Sequence, residues 1–285
     1  MQIINYTSFL FFLICCIAIS SCGSDETESS NEGIQAFILS SNTSFQESSS
    51  GLYYNITEEG ITPFPSSTSF VVFDLKGQLL SGTSVGNTFG SEADVRIDLN
   101  QNIIPGLKEA LEFLGTGGEG TFILPSDLAF GTIGNGVIPA NAPIVYQIEM
   151  LGIYADEMVF SDALLSEYIE NQGFEDVTQT ASGLYVIIEE PGSDITPSSS
   201  QGVTVHYEGY FLNGDVFDSS IARGAPSTFS LNQVIAGWTE GIPYFGEGGK
   251  GKLLIPAHLA YGASGNQNIP AYTPILFDIE LISVN

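Results

Sequence analysis

Residues 205–220, VHYEGYFLNGDVFDSS, place one acidic side chain, Asp218, in a run of apolar and aromatic residues. An ionised carboxylate among apolar neighbours needs a charged or hydrogen-bonding partner, unless it only caps a turn. Arg223 follows five residues later and Tyr207 lies on the preceding predicted strand, so we favour a network of these three side chains. His206 alternates with Tyr207 along that strand, which indicates a hydrogen-bonded structural histidine rather than a catalytic one.

Side chains for covalent or metal chemistry are scarce in most of the chain. All three cysteines, Cys15, Cys16 and Cys22, lie in the N-terminal segment that ends at Cys22, and the only histidines are His206 and His258. The remainder of the chain can therefore form no internal disulfide, thiol catalyst or thiolate metal site. We accordingly expect no metal and no cofactor.

An internal repeat supplies the elements that would position the network. Residues 117–151 match residues 248–282 at 16 of 35 positions without a gap. Two upstream stretches, 49–60 and 99–111, also have counterparts in the second copy. A repeat of this length predicts two tandem domains of about 110 residues each.

Each copy has a pattern rich in β-strands. In the second copy, VTVHYEGYFL, KGKLLIP and PILFDIELISV hold the β-branched and aromatic residues typical of strands. Val234, Ile235, Trp238 and Ile242 share one face of a single short helix. Several antiparallel strands with one short helix predict an α+β domain whose sheet wraps around that helix.

The motifs of the second copy resemble a known family. VHYEG, VFDSSIARGAP, TFSLNQVIAGWTEGI, GGKGKLLIPAHLAYG and IPAYTPILFDIEL stand in the order and spacing of the FK506-binding-protein (FKBP) family of peptidyl-prolyl isomerases. The match runs almost continuously through about residues 180–285. It implies two tandem FKBP-like α+β domains, each an antiparallel sheet curled around one short helix, with an apolar pocket between sheet and helix.

The resemblance implies catalytic roles for three residues of the second copy. Trp238 would form the floor of the pocket, and the Tyr261 hydroxyl would donate a hydrogen bond to a substrate carbonyl. Asp218 would lie near the carbonyl of the residue before proline, held by Arg223 and Tyr207. The substrate-binding residues that the resemblance implies are Tyr207, Phe217, Arg223, Phe229, Val234, Ile235, Ile269 and Phe277.

Among these implied residues, Phe217, Phe229 and Phe277 would wall the proline ring, and the Ile269 backbone N–H would donate a second hydrogen bond to substrate. The family's substrates are prolyl-containing polypeptides, here unfolded or exported chains. Its macrolide ligands are expected to inhibit the same site.

The first copy departs from the family at the positions of the implied pocket. Its scaffold glycines and prolines remain, among them Gly117, Pro125 and Pro139. The polar and aromatic groups are lost, so we expect a domain that folds but is degenerate as an isomerase. The replacements are Leu75 for Tyr207, Gly86 for Asp218, Ser91 for Arg223, Leu107 for Trp238 and Phe130 for Tyr261.

The charge balance limits the possible partners. The chain has 33 Asp and Glu against 6 Lys and Arg, a formal net charge of −27. Nucleic acid is excluded as a partner because its binding depends on basic groups that neutralise phosphates. Direct binding to anionic lipid is disfavoured by the same sign of charge. The composition fits an acidic extracytoplasmic protein, with a salt-adapted surface as the alternative.

The N-terminal segment predicts export and lipidation. FLFFLICCIAIS has the length of a signal-peptide apolar region, and it leads to ISSC, which resembles the lipobox of bacterial lipoproteins. By that resemblance Cys22 would carry lipid, although no Lys or Arg precedes the apolar run. The alternative is an uncleaved anchor. We expect an extracytoplasmic protein, at the periplasmic face or the cell surface of the outer membrane, that contacts the membrane only through its lipid.

A helical pattern lies between the two copies. Phe160, Leu164 and Tyr168 recur every four residues, and they predict a helix with Ser161 as its N-cap and Gly173 just after its end. We interpret it as a connecting helix that packs on a domain, with a dimerisation helix as the alternative. The expected organisation is a signal peptide (1–22), an acidic flexible tether and lead-in segment (23–48), a degenerate FKBP-like domain (49–155), the connecting helix (156–175) and an isomerase domain (176–285).

The sequence thus predicts a lipid-anchored peptidyl-prolyl cis-trans isomerase that assists the folding of exported proteins and catalyses in its C-terminal domain. One alternative is a chaperone or binding module whose isomerase activity is incidental. Another is a dedicated partner of a surface assembly such as gliding machinery.

Overall fold

The computed structural model describes residues 24–91 and 94–285, with side chains from residue 31 onward. The predicted signal peptide and Cys22 lie outside the described residues. The chain divides into two compact units, the first ending at Asp156 and the second running from Glu157 to Asn285.

In its described residues the first unit consists of one antiparallel sheet and two α-helices. Its helices are α1 (Ser24–Ser41) and α2 (Pro105–Glu112), and its strands are β1 (Gln46–Glu47), β2 (Tyr53–Glu58), β3 (Phe70–Leu79), β4 (Ser84–Asn87), β5 (Val95–Asp98), β6 (Glu119–Leu124) and β7 (Ile144–Tyr154). The strand order is β1-β2-β6-β7-β3-β4, with β5 also paired to β3.

The second unit repeats this plan. Its helices are α3 (Glu157–Gln172) and α4 (Ala236–Gly241), and its strands are β8 (Val177–Gln179), β9 (Tyr185–Glu190), β10 (Gly202–Tyr210), β11 (Val216–Ser219), β12 (Ser227–Ser230), β13 (Lys250–Ile255) and β14 (Ile275–Val284). The order is β11-β10-β14-β13-β9-β8, with β12 paired to β10. The predicted α+β fold with two FKBP-like sheets is confirmed.

The short helix of each unit packs on the inner face of its sheet, where the main core lies. In the second unit Trp238 and Ile242 join Leu253 and Ile255 of β13 in that core. The helix approaches closely because Gly237 has no side chain: a Cβ there would overlap the side chain of Ile255. In the first unit Leu107 takes the place of Trp238 and is fully buried.

The outer face of each sheet is covered by the longer helix. In the second unit Leu165 of α3 packs on Tyr185, Leu254 and Leu276. This burial of apolar surface explains why the helix stays on its own sheet.

The first unit shows the same arrangement, which corrects the interpretation of residues 23–48 as a tether. The segment is helical from Ser24 to Ser41, and Ile34 of this helix packs on Tyr53, Ile123 and Val145. The reason is the apolar spacing of Ile34, Phe37 and Ile38, partly hidden in a segment rich in acidic and serine residues.

Helix α3 begins at Glu157, within the predicted segment 156–175 but before the predicted N-cap, Ser161. Asp156, a favoured N-cap residue type, stands just before its first residue. Ser161 is therefore not the N-cap but an interior, buried residue whose hydroxyl donates to Glu157 Oε1 at 2.5 Å. Gly173 follows the helix with a φ of +67°, as predicted. None of the helices within the described ranges is both long and apolar enough to cross a bilayer.

Candidate active site

The predicted network of Asp218, Tyr207 and Arg223 forms in the second unit. Strand β10 carries Tyr207 and its neighbour β11 carries Asp218, and the Tyr207 hydroxyl donates to Asp218 Oδ2 at 2.6 Å. Arg223 reaches both residues, donating to the Tyr207 hydroxyl at 2.8 Å and to Asp218 Oδ1. Asp218 is thus held by a phenol and a guanidinium rather than serving only to cap a turn.

The network fixes the protonation states of its members. Partial burial opposes ionisation of Asp218, but hydrogen bonds from Tyr207 and Arg223, and the charge of Arg223, hold the pKa of the carboxyl below its usual value. Burial, and then the adjacent Asp218, raise the pKa of Tyr207. At neutral pH the site therefore holds a carboxylate beside a neutral phenol.

Trp238 lies at the centre of a cluster of rings, which we call the aromatic cluster: Tyr207, Phe217, Phe229, Trp238 and Phe277. Its ring centroid lies 5.1 Å from those of Tyr207 and Phe277 and 5.5 Å from that of Phe229, and all three contacts are edge-to-face. Phe217 meets Phe277 at 5.6 Å, also edge-to-face. Such contacts lock the rings in fixed orientations.

Two polar groups of the cluster region have no hydrogen-bond partner among the residues that the structure describes. Trp238 is only 4 % exposed, and its Nε1 makes no hydrogen bond within the described part of the chain. Tyr261 is 37 % exposed, and its hydroxyl likewise has no hydrogen-bond partner among the described residues. Burial and the nearby charge of Asp218 raise the pKa of Tyr261, so its hydroxyl remains a donor at neutral pH.

The backbone donor differs from the one that the resemblance implied. The Ile269 N–H already donates to Asn266 Oδ1 at 2.9 Å, so it is not free for substrate. Ile235 precedes α4, and its N–H makes no hydrogen bond to any residue that the structure describes. The available backbone donor is therefore the Ile235 N–H, next to Trp238. A backbone group carries no side-chain signal, so the sequence could not distinguish these two positions.

The remaining implied residues surround the aromatic cluster. Val234 and Ile235 are half-buried and pack against it, and Ile269 is buried within the same core. The structure therefore brings the predicted substrate-binding residues together in one region of the inner face.

Two supporting residues escaped the sequence analysis. A Cβ on Gly209 would lie 2.6 Å from Phe277 and 2.7 Å from Phe217, so only glycine lets these rings pack over β10. Ser220 is fully buried, accepts from the Tyr207 N–H at 2.8 Å and contacts His206 Nδ1 at 3.0 Å. The repeat held a signal for Ser220, because Thr88 keeps a hydroxyl at the same place and accepts from the Leu75 N–H at 2.8 Å.

The first unit keeps the strand pairing that surrounds the site but lacks its polar side chains. Strand pairing sets Gly86 opposite Gly77 as it sets Asp218 opposite Gly209, which supports the predicted replacement of Asp218 by Gly86. Ser91 lies where Arg223 would be, and its hydroxyl donates to the Thr88 carbonyl of its own turn at 2.6 Å.

The apolar positions of the first unit are also more deeply buried. Ile103 and Ile104 are buried, whereas their counterparts Val234 and Ile235 are half-buried. Ile97 is buried where Phe229 is partly exposed. In this unit Ile97, Ile103, Ile104 and Leu107, at positions of the implied pocket, belong to the buried core. In neither unit do the described residues include three or more His, Cys, Asp or Glu side chains grouped so as to hold a metal.

The fold and these motifs define the class of protein. The family model for FKBP-type peptidyl-prolyl cis-trans isomerases matches residues 62–151 and 193–282, most of both units. The chain belongs to this family.

Individual relatives carry the name FkpA. The chain is 44 % identical over 119 residues to the FKBP-type peptidyl-prolyl cis-trans isomerase FkpA of Aeromonas hydrophila, covering 41 % of this chain and 44 % of that protein. It is 33 % identical over 210 residues to FkpA of Buchnera aphidicola subsp. Schizaphis graminum, covering 71 % and 78 %. The crystal structure of FkpA from Escherichia coli is 39 % identical, with coverages of 45 % and 61 % and a TM-score of 0.42. The chain thus spans less than half the length of some of the relatives that it matches.

Proposed function

We propose that the second unit catalyses the cis–trans isomerisation of X–Pro peptide bonds. One observation carries the proposal: the Asp218, Tyr207 and Arg223 network stands beside the aromatic cluster, where the Tyr261 hydroxyl and the Ile235 N–H have no partner within the described residues. Family membership supports the same conclusion.

The chemistry of the reaction suits such a site. The barrier to rotation about an X–Pro bond, about 18–20 kcal/mol, arises from amide resonance. The two isomers differ by only about 0.5–1 kcal/mol, so catalysis need only lower the barrier. In the twisted transition state the amide loses resonance and becomes less polar. A water-poor aromatic surface therefore favours the twisted form over the planar, hydrated amide.

Each group then has a defined part. The aromatic cluster binds the proline ring over Trp238. The Tyr261 hydroxyl and the Ile235 N–H donate hydrogen bonds to carbonyls of the bound chain, which fixes the backbone on either side of the rotating bond. Asp218 supplies negative charge beside the rotating carbonyl carbon, and Arg223 and Tyr207 hold it in place. No covalent intermediate is required.

The test is a prolyl isomerisation assay on the chain with Asp218→Val. We expect kcat/KM to fall about tenfold or more, which corresponds to about 1.4 kcal/mol of lost transition-state stabilisation. The matched control is Asp215→Val, the same change at an exposed position in the preceding turn, which should leave the rate unchanged. A well-folded Asp218→Val protein with full activity would exclude the assigned role. Macrolide ligands of the family should compete for the same site.

We propose further that the protein acts outside the cytoplasm, anchored through lipid on Cys22 at the periplasmic face or the cell surface. The support is the ISSC sequence and the confinement of all cysteines to the segment that ends at Cys22. Its substrates would be exported, unfolded, prolyl-containing chains. Labelling cells with palmitate tests the anchor. Equal labelling of Cys22→Ala and the unchanged protein would show the anchor to be wrong.

A second candidate function, holding of unfolded chains, is favoured by one observation in the first unit. Ile133 and Val137 are 66 % and 54 % exposed on a loop where the second unit has Ser264 and Asn268. An apolar loop of this kind could bind extended chains and raise their concentration near the second unit. A dedicated role in a surface assembly such as gliding machinery has no comparable support in the structure.

Rates on a tetrapeptide and on a refolding protein distinguish the holding of unfolded chains from isomerisation alone. Full-length protein and the fragment 157–285 should turn over a tetrapeptide equally, whereas full-length protein should act faster on a refolding protein if the first unit holds chains. The fragment starts at residue 157, not 176, because Leu165 of α3 is part of the second unit's packing. Replacing both Ile133 and Val137 with serine should remove the advantage on the refolding protein.

A further inference from the structure

The first turns of α3 contact the segment that carries Tyr261. Strand β13 leads into a tight turn at Ala257–Leu259, and the Ala257 N–H donates to the buried Ser161 hydroxyl at 3.4 Å. The same hydroxyl donates to Glu157 Oε1 at 2.5 Å. The second Glu157 oxygen lies 3.5 Å from His258 Nδ1, while His258 Nε2 donates to the Ser182 carbonyl at 2.9 Å. We call Glu157, Ser161 and His258 the clamp.

The residues that join this turn to Tyr261 are held by hydrogen bonds and packing. The Leu259 N–H donates to the Pro256 carbonyl, and the Ala260 N–H donates to the Ala257 carbonyl at 2.9 Å. Leu259 and Ala260 also pack against the core of the inner face. A movement of the turn is therefore transmitted to the backbone of Tyr261, because only a few residues, all bonded or packed, separate them.

Other contacts besides the clamp also hold the helix on the sheet. Leu165 makes the apolar contact on the outer face, and a separate group of hydrogen bonds joins α3 to β9: the Tyr185 hydroxyl donates to Asp162 Oδ1 at 2.6 Å and contacts the Ser166 hydroxyl at 3.0 Å. The clamp joins the first turns of the helix to the turn before Tyr261, which suggests a role beyond adhesion.

We propose that Ser161 and Glu157 are positioning residues that act through Tyr261. They hold the 257–259 turn so that the Tyr261 hydroxyl stands where the substrate carbonyl needs a donor. The inference rests on the proposed isomerase function and extends it, since it makes the helix before the domain a working part of the site. The proposal also predicts the relative size of two effects on kcat/KM. Loss of the clamp can displace the Tyr261 hydroxyl, so it should lower kcat/KM by no more than removal of that hydroxyl does.

The experiment is a double-mutant cycle in the full chain with Ser161→Ala and Tyr261→Phe. Removal of the Tyr261 donor should lower kcat/KM about two- to tenfold, the value of one hydrogen bond in the transition state. Ser161→Ala should lower it by a smaller or equal factor. In the Tyr261→Phe background Ser161→Ala should have no further effect, because the group through which it acts is gone. Glu157→Gln should behave like Ser161→Ala.

Tyr185→Phe is the matched control, since it also removes one hydroxyl between α3 and the sheet but lies away from the clamp. It should leave kcat/KM unchanged. A Ser161→Ala effect larger than that of Tyr261→Phe, or one that persists in the Tyr261→Phe background, would overturn the proposal.

A spectroscopic measurement separates this proposal from the proposed function. In protein labelled with ¹⁵N-tyrosine, the amide signal that disappears in Tyr261→Phe belongs to Tyr261. Ser161→Ala should shift that signal, and Tyr185→Phe should not. If the signal moves while the chain shows no isomerase activity, the positioning stands and the proposed function fails. An unmoved signal overturns the positioning whatever the activity.

Discussion

Tyr207→Phe tests whether the network or the ring carries the function of this residue. The substitution keeps the ring in the aromatic cluster, 5.1 Å from Trp238, and removes only the hydroxyl. That hydroxyl makes two hydrogen bonds with charged partners, Asp218 at 2.6 Å and Arg223 at 2.8 Å. Asp218 loses one of its two side-chain donors, and of these two its carboxylate is then held by Arg223 alone.

The expected loss of stability is modest. A hydrogen bond to a charged group contributes about 1.5–3 kcal/mol where water is excluded. The Asp218 and Arg223 side chains are 44 % and 48 % exposed, so water replaces much of what is lost. We therefore expect the free energy of unfolding of the second unit to fall by about 1–2 kcal/mol, and kcat/KM to fall about tenfold.

Fluorescence gives a selective assay. Trp238 is the only tryptophan of the chain, so its emission during urea unfolding reports on the second unit alone. Tyr210→Phe is the control, because it also removes a hydroxyl bound to a carboxylate, Asp278 at 2.8 Å, but belongs to the outer face of the sheet. The control should lose stability and keep its activity.

The pH dependence gives a further check. The folded-state pKa of Asp218 is lowered, so its stabilisation is present above the unfolded value of about 3.9 and is lost as the pH falls through the folded value. The effect of Tyr207→Phe on stability should therefore shrink in acid. An equal effect at pH 7 and well below pH 3.9, or full activity of Tyr207→Phe, would refute the reasoning.

Three other predictions follow from the same geometry. The rate should be constant from about pH 5 to 9, since Asp218 stays ionised and Tyr261 stays neutral across that range; a bell-shaped profile centred near neutrality would contradict these assignments. Gly209→Ala should destabilise the second unit by about 1–3 kcal/mol and lower kcat/KM, because the alanine Cβ would collide with the ring of Phe277. A crystal structure of this variant in which β10 and the Phe277 ring have not moved would contradict the prediction. The isolated first unit with Leu107→Trp should remain inactive in the peptide assay, since it lacks the charged network; turnover near that of the second unit would show otherwise.

Much of the fold could be predicted from the sequence because it rests on strong local patterns. The strands are rich in β-branched and aromatic residues, side-chain burial alternates along β10 from Gly202 to Tyr210, and the repeat supplies each element twice. The network of Asp218, Tyr207 and Arg223 was also predictable, from the positions of Arg223 and Tyr207 relative to Asp218 and from the family motifs.

The features that the sequence did not predict depend on contacts within the folded chain, which the pattern of residue types does not contain. The polar composition of residues 24–41 predicts a tether, although Ile34 of helix α1 supplies a buried contact on the sheet. The choice between the Ile269 and Ile235 N–H groups depends on where Asn266 directs its side chain. Ser161 has the type of an N-cap, yet its position is decided by its contact with Ala257, far along the chain.

The presence of an equivalent covering helix on each sheet indicates how the chain was duplicated. Ile34 and Leu165 lie 131 residues apart, one fewer than the 132 between Tyr53 and Tyr185 of the sheets that they cover, and they occupy the same place on their respective sheets. The Tyr53 and Tyr185 hydroxyls each meet a polar side chain of the covering helix. The block that was duplicated was therefore a helix together with its domain, complete with the cover for its own apolar face. Such a block can be gained or lost whole without leaving a sheet bare. One copy was consequently free to change at the pocket positions, while the other kept the network of Asp218, Tyr207 and Arg223.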